Sequence, residues 1–152
     1  MKNRGFEEVS EQFKKFKDEP TILPKRGSKH SAGWDFFLKE DISIGPGFTI
    51  VTWSDVKAYM QPDEVLKIHI RSSVGIKQGI VIANQTGIID SDYYSNENND
   101  GNIGISLYNQ DCITKHLEKG TKICQGIFEK YLVADGDETT EERVGGIGSS
   151  GK

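Results

Sequence analysis

Val65-Leu66-Lys67-Ile68-His69-Ile70-Arg71-Ser72-Ser73-Val74-Gly75 is the stretch on which the fold class turns. Lys67 to Ile70 alternates polar and apolar side chains, the period of a strand with one face buried. Outward from it the same short β-rich texture recurs. Trp34–Leu38, Phe48–Trp53, Val56–Met60, Gly79–Ala83, Ile103–Tyr108, Lys122–Phe128 and Tyr131–Ala134 all read as strands. Gly45-Pro46-Gly47 and Asn96–Gly101 supply turn chemistry between them. No helix-length apolar period follows residue 17, so the pattern predicts an all-β barrel or sandwich.

The two ends depart from this texture. Phe6, Val9, Phe13 and Phe16 are spaced as one face of a helix, which predicts a short amphipathic helix over residues 6–16 that must dock on something because it is too short to stand alone. Asp135–Glu142 is acidic and polar, and Arg143–Lys152 is rich in Gly and Ser. The expected division is a barrel over residues 1–134, a linker over 135–142, and an arm over 143–152 that orders on meeting a ligand or partner.

Bulk properties narrow the function. The 152 residues, 35% hydrophobic and 28% charged, suit one soluble domain with a real core. A net charge of −4 argues against nucleic acid or a membrane surface as partner, though not against a small anion, which needs only a local cluster of donors. The first ten residues lack a signal-peptide run, and no stretch approaches a membrane span. With only Cys112 and Cys124 there is no disulfide framework, and a cytoplasmic setting is expected. None of His30, His69 and His116 stands at metal-ligand spacing from a carboxylate or thiol.

Four segments carry chemistry-bearing side chains, and each has a plainer alternative. Arg71, Ser72 and Ser73 at a strand end form either a compact oxyanion site or a solvated turn. Asn84-Gln85-Thr86-Gly87-Ile88-Ile89-Asp90-Ser91-Asp92-Tyr93-Tyr94 sets a carboxylate beside aromatic rings, either to orient a water near a phosphate or simply to turn a hairpin. Arg143 with Gly145, Gly146, Gly148 and Gly151 forms either a phosphate-binding arm or a frayed tail. It is not a Walker loop, which needs a helix after its Lys. Gln125, among Ile123, Ile127 and Phe128, either faces inward with a hydrogen-bonding task or faces water.

The order of the pieces points further. Ser31-Ala32-Gly33-Trp34-Asp35-Phe36, Arg71-Ser72-Ser73, Gly87-Ile88-Ile89-Asp90-Ser91-Asp92-Tyr93, Gly120-Thr121-Lys122-Ile123-Cys124-Gln125 and Arg143 to Gly151 resemble the five ordered motifs of the trimeric dUTP pyrophosphatase family, over residues 24–151. The resemblance implies a β-barrel or jelly-roll protomer in a homotrimer with shared active sites. It implies a hydrolase of nucleotide metabolism that cleaves dUTP to dUMP and pyrophosphate, keeping uracil out of DNA and supplying dUMP for thymidylate synthesis.

Motif by motif, Asp90 corresponds to the carboxylate that activates water, and Tyr93 to the ring that packs on deoxyribose. Asn84, Gly87, Ile88, Ile89 and Ile103 correspond to the uracil hairpin. Arg71, Ser72, Ser73 and Gln125 correspond to the phosphate site, and Arg143, Gly146, Ile147, Gly148, Ser149 and Ser150 to the closing arm. Mg²⁺ is implied as cofactor, held through phosphates and water with Asp35 and Gln125 nearby.

Three features depart from the family pattern. Ile147 stands where an aromatic is usual, Ser149-Ser150 where Ser-Thr is usual, and Tyr94–Asp100 lengthens the hairpin. A dUTP-responsive regulator is the non-catalytic alternative. dCTP deaminase also carries Arg-Ser-Ser, but its catalytic acid is missing from Ile103–Asn109.

Overall fold

Period-two patterning becomes sheet in the computed structural model, which describes residues 2–141, 143, 145 and 146. The strands are β1 (Gly5–Glu8), β2 (Lys25–Arg26), β3 (Trp34–Phe37), β4 (Ile42–Ile44), β5 (Thr49–Trp53), β6 (Val56–Tyr59) and β7 (Glu64–Ile70). A short helix α1 (Ser72–Gln78) follows, then β8 (Ile80–Ile82), β9 (Gly87–Asp90), β10 (Gly104–Asn109), β11 (Lys115–Leu117) and β12 (Lys122–Lys130). The larger sheet runs β2-β3-β12-β7-β9 and a smaller one β5-β10-β8, with pairs β1-β6 and β11-β4 closing the ends. Every pairing is antiparallel.

The alternation explains where the core sits. On β10, Ile105, Leu107 and Asn109 point inward while Gly104, Ser106 and Tyr108 are half-exposed. Phe36, Leu66, Ile80, Leu107 and Ile123 are fully buried between the sheets. Space is tight along β12. A Cβ at Gly126 would lie 2.9 Å from Leu66 Cδ1 and 3.1 Å from Phe36 Cε2, so the glycine leaves room for these side chains from the flanking strands β7 and β3. The buried amide of Asn109 donates to the carbonyls of Ile44 and Ile113, both at 2.8 Å, and so ties strand ends into the interior.

Three expectations require correction. No helix spans residues 6–16. Gly5–Glu8 pairs with β6, and Glu11–Phe13 makes a single 3₁₀ turn. So short a helix has little stability of its own. The pairing satisfies the β6 edge, and it still sends Phe6 edge-on against Phe36 with centroids 5.6 Å apart and buries Val9. The Asp55 carboxylate accepts the Lys15 and Phe16 amides at 2.8 and 2.9 Å, holding them outside any helical ladder.

Tyr131–Ala134 is not a strand either. β12 ends at Lys130 and Leu132 is 98% exposed, because the chain has run beyond its partner β7. Conversely, α1 gives no apolar period because only Val74 is buried on it. Gly79, left-handed at φ 66°, ends it.

Candidate functional site

The sheet edges place the first cleft. β9 is the last strand of its sheet and pairs on one side only, and β8 is likewise terminal in the smaller sheet. An edge strand leaves alternate backbone N–H and C=O groups without a ladder partner. Between these edges lies a cleft of about 390 Å³ with an apolar floor of Ile68, Ile82 and Ile105. Asn84, Gly87, Ile88, Ile89, Asp90, Tyr93 and Arg143, seven of the expected site residues, line it together. Gly87 sits directly over Ile68, where a Cβ would come within 3.1 Å of the Ile68 Cβ.

Asp90 ends β9, and Tyr93 ends the 3₁₀ turn Ser91–Tyr93 that follows. Tyr93 is 5% exposed and its phenol donates to the Asn102 carbonyl at 3.0 Å. Burial pushes this phenol above its usual range, while the Asn99 amide and the Arg143 charge pull it back. Arg143 straddles two carboxylates: Nη2 donates to Asp90 Oδ2 at 2.5 Å and Nε to Asp92 Oδ1 at 2.8 Å. Its guanidinium carbon lies 5.8 Å from the Tyr93 ring centroid.

A second cleft, about 480 Å³, opens at the far end of β7 and the start of α1. Arg71, Ser72, Ser73 and Gln125 line it with Ile76 and Lys77, so the expected phosphate residues do converge. Ser72 and Ser73 occupy the first turn of α1, where backbone N–H groups lack helical partners. Arg71 is held by Asp35, a buried carboxylate on β3. The Lys122 ammonium stands 3.1 Å from Asp35 Oδ2 but off the axis of a hydrogen bond, leaving that buried oxygen without one. Gln125 pairs in register with Asp35, and its amide fills the space that Gly33 leaves by lacking a Cβ. This is the physical sense of Gly33 two residues before Asp35.

One expected residue lies elsewhere, and Arg143 lies in the first cleft. Ile103 is wholly buried and does not line the cleft. Its N–H donates to Val56 O at 3.0 Å and its carbonyl accepts from Ser54 N at 3.1 Å, so both backbone groups are engaged inside the barrel. Gly104 and Ser106 line the wall that was assigned to it. Arg143 joins Asp90 and Tyr93, not the Arg71 cleft. Gly146 is buried beside Asn99, where a Cβ would come within 3.6 Å of the Asn99 amide nitrogen. Ile147, Gly148, Ser149 and Ser150 lie outside the described residues. The sequence reading missed Lys122 beside Asp35 and Asn99 beside Tyr93. The first had a signal in its motif position, the second none.

Comparison with known proteins bears on this arrangement. A family model described as dUTPase matches residues 19–151. The deoxyuridine 5′-triphosphate nucleotidohydrolase of Lactococcus lactis subsp. lactis is 44% identical over 153 residues, covering 99% of each chain. The crystal structure of dUTPase from Streptococcus mutans superposes with a TM-score of 0.75 at 39% identity, over 87% of this chain and 99% of that one. A dUTPase mutant of Staphylococcus bacteriophage 80alpha, with dUpNHpp, shares the fold at 21% identity and a TM-score of 0.72, over 93% and 90% of the two chains. With all five motif segments inside the matched span and close relatives along the whole chain, this protein belongs to the dUTPase family.

Proposed function

We propose that this chain is a dUTP nucleotidohydrolase that releases dUMP and pyrophosphate, with Asp90 activating the water that attacks the α-phosphorus. The reading rests on one arrangement: a carboxylate and a buried tyrosine ring flank an apolar-floored cleft whose walls are free sheet edges. Uracil is a flat ring with alternating donors and acceptors, the complement of an unpaired strand edge at β9. Tyr93 packs on the sugar, and a 2′-hydroxyl there would find neither room nor a partner. Asp90, at the mouth, accepts the proton of the attacking water. The product dUMP feeds thymidylate synthesis, and removal of dUTP keeps uracil out of DNA.

Arg71, Ser72, Ser73 and Gln125 hold the phosphates, and Arg143 with residues 146–150 closes over them. Mg²⁺ fits this donor set as an ion held chiefly by phosphate oxygens and water. Among the described residues no three acidic, His or Cys side chains converge, and Asp35 Oδ2 offers a single buried oxygen lacking a hydrogen bond, with Gln125 opposite. When bound, the ion supplies charge neutralisation on the phosphates.

Residues 1–134 form the barrel, 135–142 a linker and 143–152 the arm. The working unit is a homotrimer with shared sites, in the cytoplasm. What favours the trimer is that the two clefts have no lining residue in common, so that a neighbouring chain can complete the site.

Incubation with dUTP, dCTP and UTP in heavy-oxygen water tests the chemistry. dUTP alone should turn over, with the label in dUMP. Label in pyrophosphate, or faster loss of dCTP or UTP, would overturn the reaction. For the shared site, an Asp90→Asn chain with its arm is refolded one to one with a chain ending before Arg143. Random mixing restores about a quarter of wild-type activity if base and arm come from different chains. No restoration means both serve from one chain.

A further inference from the structure

The geometry points to Asn99, in the lengthened hairpin, as a positioning residue for sugar selection that holds Tyr93 in the orientation excluding a 2′-hydroxyl. The inference rests on the proposed role of Tyr93. Residues 94–100 are folded by their own asparagines. Asn96 Oδ1 accepts the amides of Asn98 and Asn99 at 3.1 and 3.2 Å, and its side-chain amide donates to the Tyr93 carbonyl at 2.8 Å and to Asn99 Oδ1 at 2.7 Å. Asn99 Oδ1 also takes the Gly101 amide at 3.1 Å. With its oxygen engaged twice, the Asn99 side chain is fixed with its nitrogen aimed at Tyr93. That nitrogen donates to Tyr93 Oη at 2.7 Å and to the Asn102 carbonyl at 3.2 Å.

The phenol therefore donates to the Asn102 carbonyl while it accepts from Asn99, so turning the ring out of its pocket breaks two hydrogen bonds. A nearly buried ring held at its far end cannot swing aside to admit an extra hydroxyl. The hairpin that supplies Asn99 is itself anchored. Asp100 takes the Ser10 amide at 2.6 Å and pairs with Lys57 at 2.9 Å, and Tyr94 donates to Glu7 at 2.6 Å. Only an amide meets the requirements at position 99. A carboxylate accepts from Asn96 and Gly101 but cannot donate to the phenol.

The test compares kcat/KM for dUTP and UTP in wild type, Asn99→Asp, Asn99→Ala, Tyr93→Phe, Tyr93→Ala and the Asn99→Ala/Tyr93→Phe double variant, with thermal melts on each. Asn99→Asp and Asn99→Ala should each lower the dUTP-to-UTP ratio about tenfold, the value of one hydrogen bond, mainly by raising turnover of UTP. Tyr93→Phe should lower it similarly. Asn99→Ala should then add nothing in the Tyr93→Phe background, because the oxygen it holds is gone. Tyr93→Phe leaves Asn99 in place, so the bond is tested even where an Asn99 variant does not fold. The inference is overturned if Tyr93→Ala changes the ratio while the Asn99 variants stay within about twofold of wild type, or if the Asn99→Ala effect is the same with and without the phenol. An unchanged ratio in Tyr93→Ala overturns the tyrosine reading first and this inference with it.

Discussion

Replacing Asp90 by Asn separates catalysis from folding, and the structure sets the size of each effect. The Asp90 side chain is 49% exposed and shares Arg143 with Asp92. Asn keeps the volume and can still accept from the guanidinium, while Asp92 keeps its own bond at 2.8 Å. A half-exposed, solvent-screened pair of this kind contributes at most about 1 kcal/mol, so the melt should shift by no more than about 4 °C. Loss of the base is a different matter. Among the described residues no other carboxylate lines the Asp90 cleft. A general base contributes about 10²–10⁴-fold, about 3–5 kcal/mol of barrier. The assay is pyrophosphate release at saturating and at limiting dUTP, beside equilibrium binding of dUTP and a thermal melt. kcat should fall by at least about a hundredfold while binding changes by less than about tenfold. A variant retaining more than about a tenth of wild-type kcat would refute Asp90 as the base.

Gly33→Ala should move the Gln125 amide out of the phosphate cleft, since a Cβ there overlaps that side chain; KM for dUTP rises several-fold with little change in melting, and an unchanged KM would mean Gln125 plays no part in binding. Asp100 is pulled two ways: burial raises its pKa, but the Ser10 amide and Lys57 outweigh burial and hold it below the usual 3.8. The stability it contributes is therefore complete above pH 3.8 and lost as pH falls through the lower folded value, so wild type should lose melting temperature more steeply than Asp100→Asn below pH 3.8. Cys112 is exposed, whereas Cys124 is fully buried and its thiol is pushed up by that burial, so native protein should label rapidly at one thiol and at both only in denaturant.

Strands were legible in the sequence where one face is core and the other half-exposed, as in β7 and β10. β2, β4 and β11 have two or three residues each, too few to display any period. β9 read as a hairpin because it is an edge strand, with Gly87 chosen for its closeness to Ile68 and Asp90 for the cleft. The N-terminal error has a different origin. Phe6 is half-buried and Val9 buried, and their spacing suits a helix face as well as a strand that ends in a turn. The pairing with β6, some fifty residues away, decided between them, and no local pattern encodes that edge.

The site shows the same division between chemistry and partnership. Arg71 and Asp35 are each recognisable in the sequence, but only the side-by-side pairing of β3, β12 and β7 brings them into contact. Arg143 makes the point most sharply. A guanidinium offers parallel donors that fit carboxylates and phosphates alike, so its type predicts an oxyanion partner without saying which. In the isolated chain the nearest oxyanions are Asp90 and Asp92, and the side chain is 10% exposed between them. For Arg143 to close over a triphosphate it must exchange these two carboxylates for phosphate oxygens, which carry more charge and are partly shielded by Mg²⁺ when that ion is bound. The exchange is favourable only if the phosphates lie where the arm can reach, and the Arg71 cleft shares no wall with the Asp90 cleft in one chain. In the lone chain the guanidinium is committed to Asp90 and Asp92, so its residue type foretells an oxyanion partner but not which one.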